Sequence, residues 1–257
     1  MDQSTLASLQ IQAGLVPGSI VLDDLSGVPI AIDADAPIYP ASIIKVPLVA
    51  AALTLVEAKE LDLGQSVTIA ERNMTTNDAE SPLVPGFTTT LEDLCERAIR
   101  RSDNVATNEL FDRIGRARAT AIAHDLGLTN TLFARKLSGS DPLIVDPEWN
   151  GTSRNAHPAS DAARLLRSVA LHEYTWSARI GAMLRAQVWN DKLSIGTFPG
   201  DTFAHKTGDT SAVTHDAGIL KTHDGRVYVL VVYAAIESNE ANNARFGAFM
   251  RALRPLL

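Results

Sequence analysis

Cysteine is nearly absent from this sequence. Cys95 is the single one among 257 residues, which excludes an intramolecular disulfide and a thiolate metal cluster. It falls in the run Leu91, Leu94, Cys95, Ala98, Ile99, whose spacing predicts the buried face of a helix, so Cys95 reads as a core residue rather than a reactive thiol. The six histidines (His124, His157, His172, His205, His215, His223) never stand at H-x-H or H-E-x-x-H spacing, so no metal is expected, and nothing calls for a cofactor. No basic stretch interrupts a formal charge of −7, which argues against nucleic acid as a partner, since phosphates need lysine or arginine to displace their counterions. No apolar run reaches the ~20 residues of a membrane span, so no membrane partner is expected. Met1-Asp2-Gln3-Ser4 opens no basic-then-apolar leader, which leaves either a cytoplasmic protein or an exported one whose leader has been removed. Repeats and low-complexity linkers are missing as well.

What is present describes a globular chain able to bury a substantial core, with 46% hydrophobic and 21% charged residues. Residues 4–13 predict a short helix stopped at Gly14. Ser19–Leu25 and Val28–Asp33 alternate as strands around Ser26-Gly27 and predict a hairpin. A long helical stretch follows, with helices expected over 43–60, 91–101, 104–114, 117–126, 159–173 and 176–189. Thr90 and Asp93 resemble a capping box, while Gly115 and Gly127 stand as terminators. Thr202–Lys206, Thr214–Leu220 and Val227–Ile236 are strand-like, the last almost wholly apolar and hence central. Asp224-Gly225 marks a turn between two of them, and a helix over about 239–253 closes the chain. The expected fold is α+β in two lobes: a five-stranded antiparallel sheet flanked by N- and C-terminal helices (residues 1–40 and 195–257) plus an all-helical lobe (41–194). Small-molecule sites commonly sit in a cleft of such an arrangement.

Three short motifs carry chemistry. Ser42-Ile43-Ile44-Lys45 puts a hydroxyl at a helix start with an amine three residues on, on the same face. A serine is a poor nucleophile until a base removes its proton, and Lys45 is within one helical turn to do so. Ser102-Asp103-Asn104 lies between two helices, and Lys206-Thr207-Gly208 closes the first late strand. Each has a plain alternative: Ser42 or Asn104 as a helix N-cap, and Lys206 as a charged edge-strand residue running into a glycine turn.

Together, in this order and at residues 42, 102 and 206, the motifs resemble the signature set of class A β-lactamases and penicillin-binding proteins. The flanks resemble it too, in Pro40-Ala41-Ser42-Ile43-Ile44-Lys45-Val46-Pro47-Leu48 and in Arg101-Ser102-Asp103-Asn104 with Ala106-Thr107-Asn108. The resemblance covers essentially the whole chain and implies a serine hydrolase. Ser42 would be acylated, Lys45 would move its proton, and Ser102 would relay a proton to the leaving group. Asn104 would bind the acyl-side amide of a substrate, and Lys206 and Thr207 would hold its carboxylate beside Gly208. The backbone N–H groups of Ser42 and Asp209 would form an oxyanion hole. A small molecule (β-lactam, peptide or ester) is the implied partner, and a monomer is expected.

Two departures stand out. The family places a deacylating glutamate in the region matching Leu137 to Asn155. The nearest echo is Asp146-Pro147-Glu148-Trp149-Asn150, with Asp141-Pro142 as a rival and Glu148 a third candidate. Aspartate is one methylene shorter, and a misplacement near 1 Å can cost ~10²-fold. Asp209 is the second departure: facing the site it would oppose Lys206, and facing out it would be a turn residue. His205 would flank the site or face outward. Three functions follow: β-lactam hydrolysis through acyl-Ser42, a D-alanyl-D-alanine carboxypeptidase or carboxylesterase of the same fold, and a penicillin-binding sensor or relic that acylates once.

Overall fold

The computed structural model describes residues 1–77, 80–138 and 144–257. In chain order the elements are α1 (Gln3–Gln12), β1 (Gly18–Asp23), β2 (Ile30–Ile32), α2 (Lys45–Glu57), β3 (Ser66–Thr68), β4 (Thr88–Thr90), α3 (Leu91–Arg100), α4 (Asn104–Ile114), α5 (Arg116–Asp125), α6 (Ala159–Ala170), α7 (Ser177–Arg185), β5 (Thr202–Asp209), β6 (Thr214–Lys221), β7 (Val227–Ala234) and α8 (Glu240–Leu253). Two compact units result, Met1–Ile43 with His157–Leu257, and Ile44–Ala156.

The first unit holds a five-stranded antiparallel sheet in the order β2-β1-β7-β6-β5. The early and late strands join through β1 and β7, in register from Gly18↔Ala234 to Asp23↔Val229. The apolar run β7 is therefore central, as its composition predicts. Alternate residues Tyr228, Leu230, Val232 and Ala234 share a core with Leu6 of α1 and Phe246, Phe249, Met250 and Leu253 of α8. The helix α6 packs on β7, β1 and β6, and α7 packs on β5. These two helices thus belong to the sheet unit, whereas the sequence pattern alone assigns them to the helical lobe.

Several boundaries differ from expectation for local reasons. The first hairpin is shorter on its second side, because Asp23 and Asp24 accept the Leu25 and Ser26 amides and bend the chain there, and Pro29 has no N–H for a ladder. The helix α6 stops at Ala170, since His172 takes φ 55° and Glu173 N–H bonds back to Ser168 O, a Schellman-type end without glycine. Lys206-Thr207-Gly208 does not end its strand: β5 runs on to Asp209, paired with Thr214. The two-stranded sheet of β3 and β4 has too few residues per strand to show a period, and the sequence gives no warning of it.

The second unit is built on α2, of which Lys45 to Leu53 and Leu55 are buried. A helix apolar all round must lie inside its neighbours, and α3, α4 and α5 all pack against it. The helix α3 is one-sided as predicted, burying Leu91, Leu94, Cys95, Ala98 and Ile99. Its cap is half of the expected box: Thr90 accepts the Asp93 amide, but Asp93 turns to Thr89 and Arg97.

Two consequences follow for stability. A Cβ at Gly196 would stand 2.3 Å from Gly247 O and 2.6 Å from Met250 Cβ, so Gly196→Ala must push α8 away. A loss of about 1–3 kcal/mol is expected, each lowering Tm by ~2–4 °C; an unchanged Tm would contradict this contact. Burial holds His157 at about 3 and His215 at about 4, against an ordinary 6.5. Below 6.5 the unfolded chain binds more protons than the folded one, so stability falls as pH drops from about 6.5 toward about 4. Urea midpoints measured across that window should decline, and a flat profile would mean that these rings are not held neutral.

Candidate active site

In the second unit, Lys45 starts α2 and is fully buried. Its Nζ donates to Ser102 O at 2.5 Å, to Ser102 Oγ at 3.1 Å and to Asn104 Oδ1 at 2.8 Å. The Ser102-Asp103-Asn104 loop is shaped to allow this. Ser102 takes φ 58°, a left-handed conformation that costs an L-residue roughly 1–2 kcal/mol. Asp103, not Asn104, is the N-cap of α4: its Oδ1 accepts the Ala106 amide at 3.0 Å and its Oδ2 accepts Ser81 Oγ at 2.5 Å. Asn104 is released from capping. Its amide N–H bonds Asn77 Oδ1, its Nδ2 donates to Thr76 O, and its Oδ1 meets Lys45.

One turn further on α4, Asn108 clamps Leu137, accepting its amide at 2.8 Å and donating to its carbonyl at 2.9 Å. Next to it Lys136 donates to Asn73 Oδ1 at 2.5 Å and pairs with Asp112 at 2.6 Å. Burial alone would raise the Asp112 carboxyl, but the bonds from Lys136, Asn73 and Arg72 outweigh it and hold the group low. The acids proposed for deacylation are committed elsewhere. Arg116 Nη1 lies 2.8 Å from Asp146 Oδ1 and donates to Oδ2, which also accepts the Lys136 amide. The side chains of this pair are only 7% and 3% exposed. Glu148 is 71% exposed and pairs with the other arm of Arg116 at 3.0 Å. Asp141 lies outside the described residues.

In the first unit, Ser42 is half-buried in a 3₁₀ turn, Ala41–Ile44, that runs directly into α2. Ala41 before it takes φ 47°, again left-handed without glycine. Gly208 of β5 lies under this turn: a Cβ there would stand 3.0 Å from Pro40 O and 3.2 Å from both Ala41 Cβ and Ile43 Cγ1. The glycine at the third position of Lys206-Thr207-Gly208 is therefore a demand of close packing. Lys206 is fully buried, with Nζ 2.8 Å from Thr207 O, and Thr207 is 3% exposed.

Asp209 fits neither expectation. Its Oδ1 accepts from Lys192 Nζ at 2.5 Å, Ser238 Oγ at 2.6 Å and Thr214 Oγ1 at 3.0 Å. Burial alone would raise it, but the Lys192 charge and these bonds hold it below the usual carboxylate value. Lys192 is fully buried and also donates to His215 O. His205 faces inward, with Nδ1 2.7 Å from Asp216 Oδ1 and Nε2 3.0 Å from Asn190 Oδ1. Sequence reading missed Asn108, Arg116, Lys192 and His215. Only Asn108 carried a signal, four residues after Asn104 and hence on its helix face.

Among the described residues, no helix is long and apolar enough to cross a membrane, and no group of three His, Cys, Asp or Glu is placed to hold a metal ion.

Comparison with known proteins identifies the family and the fold. The chain is 24% identical over 231 residues to the extended-spectrum β-lactamase PER-1 of Pseudomonas aeruginosa, covering 79% of this chain and 70% of that protein. It is 33% identical over 171 residues to β-lactamase AER-1 of Aeromonas hydrophila, covering 62% and 53%. Among solved structures, a β-lactamase from Sphaerobacter thermophilus superposes with a TM-score of 0.83 at 23% identity, over 99% of this chain and 98% of that one. A mutant of PBP-A in an acyl-enzyme complex with penicillin G superposes with the same score at 23% identity, over 98% and 96%. These two likenesses show the fold. A family model described as the β-lactamase enzyme family matches residues 4–253, and the chain therefore belongs to that family, as a hydrolase of the β-lactamase type.

Proposed function

We propose that Ser42 is the acylated nucleophile and that the preferred substrate is a β-lactam, with release of the acyl group as the slow step. The observation that carries this reading is the buried ammonium of Lys45, bonded to Ser102 Oγ and Asn104 Oδ1 at the start of the helix that Ser42 leads into. In its neutral form the Lys45 amine would take the Ser42 proton as Oγ attacks the carbonyl, and that proton would then pass from Lys45 through Ser102 to the leaving nitrogen, which returns Lys45 to the neutral amine. Asn104 would orient the acyl-side amide. Lys206 and Thr207 would hold the substrate carboxylate, and Asp209 does not cancel Lys206 because Lys192 already matches its charge. The N–H groups of Ser42 and Asp209 would receive the oxyanion, where one lost donor typically costs ~10²–10³ in rate.

The commitment of Asp146 and Glu148 to Arg116 supports slow release. A carboxylate that already accepts from a guanidinium and a backbone amide has fewer lone pairs left to orient a water. The same feature favours a carboxypeptidase or esterase as the second reading, since such an enzyme needs no fast hydrolysis of a penicilloyl group.

With excess benzylpenicillin, intact mass should show one added penicillin that decays slowly while substrate is consumed at a low rate. Ser42→Ala should show no adduct, and Lys45→Ala should acylate about 10²–10⁴-fold more slowly. No adduct on the wild type, with ester turnover instead, would favour the second reading. Asp146→Asn should leave the release rate unchanged and lower stability by about 3–5 kcal/mol, the usual cost of breaking a buried ion pair. A selective loss of release in that variant, at full stability, would restore Asp146 as the deacylating base.

A further inference from the structure

Tyr39-Pro40-Ala41 leads into Ser42 with little backbone support of its own. Pro40 has no N–H, Tyr39 before it is confined to extended conformations, and Ala41 is held left-handed. The Pro40 carbonyl is used inside the turn, accepting Ile43 N–H at 3.1 Å. The Tyr39 carbonyl is held from outside, 2.8 Å from His215 Nε2. His215 sits on β6 directly opposite Gly208 of β5, so the same register pair supplies the bare Cα under the turn and the imidazole that grips its approach.

We infer that His215 is a positioning residue for Ser42, acting by donating its Nε2–H to the Tyr39 carbonyl. In the tautomer with the proton on Nε2, Nδ1 accepts the Ala234 N–H at 3.2 Å; the Thr214 carbonyl, 2.7 Å from Nδ1, competes for the proton as the acceptor of the other tautomer. The ring is itself fixed. It stacks on Tyr233 with centroids 4.3 Å apart and planes 18° from parallel, Tyr233 OH donates to His157 O at 3.2 Å, and Lys192 ties the His215 carbonyl. The imidazole is fully buried. The bond to the Tyr39 carbonyl acts together with the packing of Gly208 under the turn, and its loss lets Ala41 relax toward right-handed φ and Ser42, the next residue, turn with it.

This inference rests on Ser42 being the nucleophile, and the test separates the two. Acylation by benzylpenicillin is followed by intact mass over a range of concentrations in the wild type, His215→Phe and His215→Gln. Phenylalanine keeps the stacking and loses the donor, while glutamine keeps an N–H near the Nε2 position. His215→Phe should lower the limiting acylation rate about 10²-fold, the effect of a displacement near 1 Å. The half-saturating concentration should stay unchanged, and His215→Gln should recover most of the rate. A His215→Phe protein acylated at the wild-type rate would overturn the inference and leave the reading of Ser42 intact. Equal slowing in both variants, in step with equal loss of Tm, would overturn it in favour of a merely structural role. If His215→Phe does not fold, His215→Gln is compared with His215→Asn, whose shorter amide cannot reach Tyr39 O; equal rates for those two would sink it. Absence of any adduct on the wild type, with no ester turnover that Ser42→Ala abolishes, would overturn the reading of Ser42 and this inference with it.

Discussion

An ammonium group taken fully out of water at the start of α2 sets the terms for much of the second unit. Moving such a charge into a protein interior carries an effective penalty of several kcal/mol unless its protons are all received. Lys45 finds oxygens from Ser102 and Asn104, and these stand where they do only because Ser102 accepts a left-handed backbone. The rest of the loop offsets that strain. Asp103 caps α4 and takes the Ser81 hydroxyl, while Asn77 and Thr76 hold Asn104 from the other side. A fully satisfied polar network of this kind is rigid, and rigidity is what a proton carrier needs to meet its partners at hydrogen-bond distance.

The first unit solves a comparable problem with a sheet. Its hairpin of β5 and β6 presents a glycine where the Ser42 turn must approach within van der Waals contact, and a histidine where the turn needs a donor. The buried charges nearby are matched locally, Asp209 by Lys192 and Asp201 by Arg254. Left-handed φ at Ala41 and Ser102 stands directly before or at the two serines that the proposed chemistry uses. Strain of this sort persists only where surrounding contacts over-determine it.

Legibility from sequence varied with the kind of signal. The five-stranded sheet and the order of elements were readable because strands with period two and an apolar β7 admit few arrangements. The one-sided face of α3 with Cys95 was readable for the same reason. The short β3 and β4 were not, and the end of α6 was hidden because His172 does a glycine's work. The loop acids show the limit most plainly. Asp146-Pro147-Glu148 echoes a catalytic pattern, yet its carboxylates pair with Arg116, thirty positions and more away along the chain. No local rule marks Arg116 as their partner.

The sequence by itself determined the fold class and the candidates Ser42, Lys45, Ser102, Asn104 and Lys206, because secondary-structure periods and motif spacing are properties of neighbours along the chain. Tertiary structure alone decided that Lys45 meets Ser102 and Asn104, that Asp103 is the cap, that Asp209 belongs to Lys192, and that His215 grips Tyr39. Each of these is a hydrogen bond or ion pair whose free energy depends on burial and on a partner distant in sequence, and neither quantity exists until the chain is folded.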